Sequence, residues 1–207
     1  MVHAYHVIRG TYGFWLPNDP RGSWSDFVAS WELARFGKAT FGLERQAVDV
    51  RQWEAWRAAA IEALRFAPVV MTGMQARAAG TGIGTEVRKS GLTIWACSIL
   101  PEHVHMVVAR HRYKVEQVCN LLKGEATKQL KADACHPQAR FADVKTGKLP
   151  SMWGEGQWKV FLDSEEAIEA AVRYVEENPV KEGKQPQHWS FVTRFSGLDK
   201  SGWTTYY

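Results

Sequence analysis

The sequence lacks a long apolar segment and any closely spaced pair of cysteines. Its three cysteines, Cys97, Cys119 and Cys135, form no C-x-x-C motif, which favours reduced thiols in a cytoplasmic protein. No run reaches the roughly 18 apolar residues that a membrane span needs, and the first residues contain no apolar core of a signal peptide. We therefore expect a soluble, intracellular protein with no membrane partner.

Two further absences narrow the function. The 207 residues contain no G-x-x-x-x-G-K-[ST] loop for nucleotide phosphates, and they contain no repeat or low-complexity tract. The net charge of +4 is only mildly basic, which suits a polyanionic partner without identifying one. The ten tryptophans suit a packed core and a platform for unstacked bases equally well, so their number decides nothing.

Strand-like and helix-like segments alternate along the chain. From β-branched and apolar runs bounded by Gly and Pro, strands are predicted at residues 4–16, 69–71, 92–100, 103–110 and 157–162. From composition and apolar period, helices are predicted at residues 49–64, 72–90, 114–133 and 164–178.

Local signals set several of these boundaries. Thr72 with Gln75, and Asp163 with Glu166, have the spacing of capping boxes that begin a helix. Pro179 is predicted to end the last helix. The short link at 101–102 makes its two flanking strands antiparallel neighbours. This order predicts an α+β fold, an antiparallel sheet with helices packed on one face.

The chain is predicted to be a single domain over residues 1–207. A loop-rich elaboration covers about 17–50, and the C-terminal tail at about 185–207 has no predicted structure.

Two histidines lie one residue apart in a predicted core strand. His103 and His105 flank Val104, so both side chains point to the same face, roughly 6.6 Å apart along the strand. They could converge on one metal ion, because His–metal bonds are only about 2 Å long. Random placement of the 7 histidines gives about 0.2 such pairs per chain. A structural pair and a metal-binding pair therefore both remain open at this point.

A tyrosine and an asparagine lie one turn apart on the last predicted helix. Tyr174 falls at the edge of the apolar stripe, and Asn178 follows it at i+4, so the two side chains are neighbours. The pair has two explanations. It is either a tyrosine at the edge of the core beside a helix-terminal amide, or a nucleophile beside a metal ligand. In the second case, an amide oxygen and two imidazoles suit Mg²⁺ or Mn²⁺.

The two motifs together resemble a known family. LPEHVH (100–105) is similar to the Met-Pro-Asn-His-Val-His of single-tyrosine HUH transposases of insertion sequences, and YVEENPV (174–180) is similar to their Tyr-Ile-x-x-Asn-Pro-Val. The likeness is closest to REP-associated tyrosine transposases and covers about 65–182. It includes LLKGEATKQL (121–130) and the segment from Trp153 into the tyrosine helix. Glu102 departs from the pattern, since Asn is usual there.

The resemblance implies a ferredoxin-like fold with the HUH motif on a central strand. It implies Tyr174 as the nucleophile, His103 and His105 as metal ligands, Asn178 as the third ligand, and Mg²⁺ or Mn²⁺ as cofactor. The implied reaction cleaves single-stranded DNA through a 5′-phosphotyrosine, releases a 3′-hydroxyl, and rejoins by the reverse step. Because the covalent link keeps the bond energy, no nucleotide cofactor is needed.

The resemblance also implies a cytoplasmic, nucleoid-associated prokaryotic protein that binds hairpin-forming single-stranded DNA as a monomer or homodimer. Phosphate contacts are expected from basic residues near the HUH strand. The candidates are Lys123, Lys128, Lys131, Arg110 and Arg112. The alternative for each of them is an ordinary solvated surface position without a contact to DNA. Trp153 and Trp158 are candidates to stack on bases, although packing in the core is expected for at least one.

Other functions fit parts of the same pattern. A replication initiator usually carries Lys three positions after its tyrosine, where this chain has Glu177. A relaxase usually has its tyrosine before the HUH motif. A domesticated nucleic-acid-binding protein would keep the fold without catalysis. A metal-dependent hydrolase would use His103 and His105 without Tyr174.

Overall fold

The computed structural model of the chain describes residues 1–16, 33 and 50–198. The predictions for the loop-rich segment at about 17–50 therefore lie almost entirely outside the described residues, as does the tail beyond residue 198.

Four strands and four longer helices form the described fold. The strands are β1 (Ala4–Gly10), β2 (Ile94–Ile99), β3 (His103–Ala109) and β4 (Trp158–Leu162). The helices are α1 (Val50–Glu62), α2 (Gly73–Ser90), α3 (Val115–Ala132) and α4 (Glu165–Lys181). A short 3₁₀ helix, Ala139–Phe141, follows α3. Within these ranges, no helix is both long enough and apolar enough to cross a membrane.

The sheet confirms the predicted fold class. Its strand order is β2-β3-β1-β4, and every neighbouring pair is antiparallel. With helices between β1 and β2 and between β3 and β4, this is the β-α-β-β-α-β arrangement of a ferredoxin-like fold. Strand β3, which carries the histidine pair, lies in the interior of the sheet between β2 and β1, as predicted.

The helices cover both faces of the sheet, whereas the sequence predicted one. Val104, Met106 and Val108 of β3 pack in one core cluster with residues of α2 and α3. Val107, on the opposite face, packs with Ile168 and Val175 of α4 in a second cluster. The prediction of a single helical face is wrong because α4 also has an apolar stripe, and only the other face of the sheet is free to bury it.

Some predicted boundaries also shift. Strand β1 ends at Gly10, well before residue 16, and residues 69–71 form no strand. The capping box of Thr72 and Gln75 is present at the start of α2. At α4 the cap is Ser164, one residue after the predicted Asp163, and its hydroxyl accepts a hydrogen bond from the Ala167 N–H at 3.2 Å.

Helix α4 continues through Pro179, which was predicted to end it. A proline removes one N–H donor, but the following residues can stay helical when other bonds close the last turn. Here the Lys184 N–H donates to the Pro179 carbonyl and the Gly183 N–H to the Val180 carbonyl, a Schellman motif. Gly183 supplies the required left-handed φ of 69°, so the helix stops there and Glu182 becomes its C-cap.

Glycines in α2 let the two helices behind the sheet approach closely. A Cβ at Gly82 would lie 2.4 Å from the Glu125 carbonyl oxygen and 2.6 Å from the Ala126 Cα. A Cβ at Gly80 would meet the ring of Trp189 at 2.2 Å. The glycines that weaken the helical pattern of this segment therefore have a packing role, because only residues without a Cβ permit this contact.

Candidate active site

The two histidines of β3 lie side by side and are nearly buried. Their ring centroids are 4.8 Å apart, and His103 and His105 are 8% and 4% exposed. Alternation along the strand puts both on the face that α4 covers. The ring of Phe14 stacks on His103 at 4.7 Å, which limits how that imidazole can turn.

Tyr174 lies over this pair from α4. Its ring centroid is 5.7 Å from that of His105, and its side chain is 44% exposed. The ammonium group of Lys181 lies 5.2 Å from the centroid of the tyrosine ring. The predicted nucleophile is therefore next to the predicted metal ligands of its own chain and is open to a substrate from solvent.

Asn178 is buried one turn after Tyr174. It is only 7% exposed, and in the described part of the chain its amide nitrogen has no hydrogen-bond partner. An unpartnered buried amide is costly, by about 1–3 kcal/mol. Because the nitrogen and oxygen of an amide are assigned from their surroundings, a rotated side chain would direct its oxygen into the same space.

These residues fit a hard divalent cation. Two imidazoles and an amide oxygen are acceptable ligands for Mg²⁺ or Mn²⁺, with positions left for phosphate oxygens. In residues 1–16 and 50–198, no group of three or more His, Cys, Asp or Glu side chains is arranged to hold a metal ion. The amide of Asn178, a ligand type outside these four, stays a prediction as the third ligand.

Burial keeps His105 in the form that binds metals. Its pKa is lowered far below the ordinary value, first by burial and then by the neighbouring His103 and His6. Burial also lowers the pKa of His6, to about 4. Both imidazoles are therefore neutral at neutral pH, and a neutral imidazole has the lone pair that a metal ligand needs.

The structure adds His6, which no sequence motif indicated. Its Nε2 lies 3.0 Å from Nδ1 of His105, and its ring centroid lies 5.6 Å from that of Tyr174. A histidine on β1 at a position facing the same side of the sheet was the available signal. Using this signal required knowing that β1 pairs with β3. The predicted strands did not specify their order in the sheet.

Glu182 is a second residue near the histidine pair that no sequence motif indicated. One carboxylate oxygen lies 3.4 Å from Nε2 of His103. The residue follows Asn178 by one helical turn, so Tyr174, Asn178 and Glu182 form one row along α4. Predicting the end of the helix at Pro179 concealed this row, because Glu182 then fell outside it.

Glu102, the departure from the family pattern, acts through its backbone. Its carbonyl accepts hydrogen bonds from the Thr11 N–H at 2.8 Å and from the Thr11 hydroxyl at 2.9 Å. An asparagine would offer the same carbonyl. Strand β3 begins at His103, so the substitution leaves the entry into the strand intact.

The basic candidates are not gathered around the histidines. Helix α3, with Lys123, Lys128 and Lys131, packs on the opposite face of the sheet. Lys128 is paired with Glu125 at 2.5 Å. Burial, followed by nearby Arg9, lowers the pKa of Lys123. Their role in binding DNA stays a prediction.

The arginines form a separate feature at the far end of β3. A shallow depression there is lined by Ser90, Gly91, Arg110, His111 and Arg112. Arg110 lies seven residues beyond His103, roughly 23 Å along an extended strand. Arg110 and Arg112 therefore lie some distance from the histidine pair, and their role in binding DNA stays a prediction.

The two tryptophans differ in their surroundings. Trp153 is buried in the core behind the sheet, and its indole N–H donates to the Thr127 hydroxyl at 2.9 Å. It is a core residue in this fold. Trp158 is partly exposed on β4, with its ring centroid 6.4 Å from that of Trp15, and its role in stacking on a base stays a prediction.

No protein-family model matches this sequence, and no curated protein matches it. The solved structures that are similar in fold include the following two. One is a REP-associated tyrosine transposase bound to a REP hairpin, with 14% identity, a TM-score of 0.42, and coverage of 87% of this chain and 68% of that one. The other is a candidate transposase from Deinococcus radiodurans, with 13% identity, a TM-score of 0.40, and coverage of 86% and 91%. At these values neither likeness carries an argument about function.

Proposed function

We propose that this protein is a transposase-type endonuclease that cleaves and rejoins single-stranded DNA through a covalent link to Tyr174. The observation that carries the proposal is the position of Tyr174 against His105, with the buried amide of Asn178 one turn further on. A nucleophile, two imidazoles and an amide are the parts that metal-assisted attack on a phosphodiester requires.

Tyr174 performs the covalent step. Its phenolic oxygen forms a bond to phosphorus while the bond from phosphorus to the 3′ oxygen breaks. The phenol gives up its proton and the departing 3′ oxygen gains one. The products are a 5′-phosphotyrosine and a free 3′-hydroxyl, and attack by another 3′-hydroxyl reverses the step. The exposed side of the tyrosine ring supports access for a DNA strand.

The ligand residues bind and orient. His103, His105 and Asn178 would hold Mg²⁺ or Mn²⁺. When bound, the cation would polarise the scissile phosphate and neutralise charge on its oxygens. Phe14, stacked on His103, restricts that imidazole and helps to keep its direction.

The DNA would lie along the edge of α4 and reach β3. The ammonium group of Lys181 lies beside the tyrosine ring and is paired with Glu177 at 2.9 Å; it would exchange this partner for the phosphate next to the cleaved bond. Arg110 and Arg112 are candidates for phosphates farther along the strand. A folded hairpin is the form of single-stranded DNA that can extend from the site to these arginines without a large cost of ordering.

The test is mass spectrometry of the protein after incubation with hairpin-forming single-stranded DNA and Mg²⁺ or Mn²⁺. The expected product is a peptide containing Tyr174 that carries the 3′ part of the cleaved strand, joined through the phosphate at the 5′ end of that part. Cleavage without an adduct would replace the proposal with a metal-dependent hydrolase. Binding without cleavage would replace it with a nucleic-acid-binding protein. An adduct on another residue would overturn the role of Tyr174.

A further inference from the structure

His6 occupies a position that links the two reactive groups of the site. It lies on β1, opposite Val107 of β3, and its side chain is on the face that carries His103 and His105. Its Nε2 lies 3.0 Å from Nδ1 of His105. The same ring contacts the edge of Tyr174, with centroids 5.6 Å apart.

The role of His6 follows from which nitrogen of His105 it contacts. An imidazole has two nitrogens, and in the neutral ring one carries the proton while the other has the free lone pair. A histidine that binds a metal through one nitrogen commonly donates its other N–H to a neighbouring acceptor, which sets the tautomer and the direction of the ring. His6 provides such an acceptor at Nδ1 of His105, and Nε2 of His105 is then left with the lone pair.

We propose that His6 is a positioning residue that accepts the Nδ1–H of His105, so that Nε2 of His105 is held ready for the metal. The role of the metal rests on the proposed function, but the tautomer of His105 does not. His6 also packs against the ring of Tyr174. From β1, an interior strand of the sheet, His6 therefore contacts both the proposed nucleophile, Tyr174, and the proposed metal ligand, His105.

A role for His6 as a further metal ligand is less consistent with the geometry. Its Nε2 is engaged with His105. Within the described ranges, moreover, no three side chains of His, Cys, Asp or Glu are arranged around a common metal position. His6 therefore acts on the site through His105.

The first experiment needs no metal and no DNA. Long-range ¹H–¹⁵N NMR of the imidazole rings distinguishes the Nδ1–H from the Nε2–H tautomer in the metal-free protein. In the unaltered protein, His105 is expected as the Nδ1–H tautomer alone. In His6→Ala, both tautomers of His105 are expected. In His6→Gln, whose amide oxygen can accept the same hydrogen bond, the Nδ1–H form is expected to persist.

The second experiment measures the affinity for Mn²⁺ alone, by calorimetry or electron paramagnetic resonance. His6→Ala is expected to weaken binding by about 10- to 100-fold, the usual effect of removing a partner of a metal-binding histidine. His6→Gln is expected to restore most of the affinity. The control is His188→Ala, because His188 is exposed and lies outside the site.

The outcomes separate this inference from the proposed function. An Nε2–H tautomer of His105 in the unaltered protein overturns the inference, and so does a His6→Ala protein with unchanged tautomer and Mn²⁺ affinity. If His6→Ala does not fold, the tautomer of His105 in the unaltered protein and in the His6→Gln variant still tests the inference. An unaltered protein that shows the expected tautomer but forms no Tyr174 adduct would refute the transposase function and leave the His6–His105 bond established.

Discussion

Tyr174 of α4 and His105 of β3 face each other across the interface between helix and sheet, with ring centroids 5.7 Å apart. The two residues are 69 positions apart in the sequence, and the packing of α4 on its own sheet brings them together. The exposed phenol and the buried imidazole have the environments expected of a nucleophile and a metal ligand.

Replacing Tyr174 with Phe removes only the hydroxyl that would attack phosphorus. Because the side chain is half exposed, stability should change by no more than about 0.5 kcal/mol. The covalent adduct and strand cleavage should both disappear, while hairpin binding, measured by fluorescence anisotropy, stays unchanged. Cleavage retained by Tyr174→Phe would rule out the tyrosine as nucleophile.

Replacing His103 with Ala removes one predicted ligand. Affinity for Mn²⁺ should fall at least 10-fold, as for other residues of metal sites. The stacked ring of Phe14 loses its partner, so a loss of stability in the ordinary range of about 0.5–3 kcal/mol is expected without unfolding. Calorimetric titration and thermal melting measure the two effects, with His188→Ala as the control. Unaltered Mn²⁺ binding would exclude the ligand role.

Replacing Asn178 with Leu should separate function from stability. The leucine has nearly the same shape and removes a buried amide nitrogen that has no hydrogen-bond partner among the described residues. We expect stability to rise by about 1 kcal/mol and Mn²⁺ binding to be lost. Chemical denaturation and calorimetry measure these changes.

The matched variant is Asn178→Asp. A carboxylate is a good ligand for a hard cation, so Mn²⁺ binding should be kept. Without metal this protein should be less stable, because a buried unpaired charge is unfavourable. If Asn178→Leu bound Mn²⁺ as well as the unaltered protein does, the amide would not be a ligand.

Two glycine-to-alanine changes test the helix pair behind the sheet. At Gly82 the new Cβ would collide with the backbone of α3, so we expect a loss of about 2–3 kcal/mol. Gly124 lies within α3, and a Cβ there would meet no described atom of a neighbouring element within 4 Å, so alanine should stabilise by up to about 1 kcal/mol. Equal effects in urea denaturation would contradict the close contact of α2 and α3.

Replacing Arg110 and Arg112 together with Ala tests the depression at the end of β3. If both contact phosphates, the slope of log affinity against log salt should decrease in magnitude by about 1.4–1.8, while Mn²⁺ affinity stays the same. The control removes the same charge from an exposed loop through Lys145→Ala and Lys148→Ala. Identical salt slopes for the two double variants would exclude a specific role for the arginines.

Local periodicity was enough to pair four residues of the candidate site. The alternation of side chains in a strand put His103 and His105 on one face, and the helical repeat made Tyr174 and Asn178 neighbours. Both rules depend only on the backbone conformation of a short segment. The family resemblance then assigned the two motifs to one site. The strand–helix order predicted the antiparallel α+β fold from the same local patterns.

Only the tertiary structure decided the remaining features. Residues 99 positions apart, His6 and His105, meet because β1 pairs with β3 in one register. Helix α4 covers the face opposite α2 and α3 because each apolar face of the sheet must be buried against another element. The same helix passes Pro179 because Gly183 closes its end, and this carries Glu182 to His103. Each of these contacts depends on packing between distant segments, which the periodicity of a single segment does not contain.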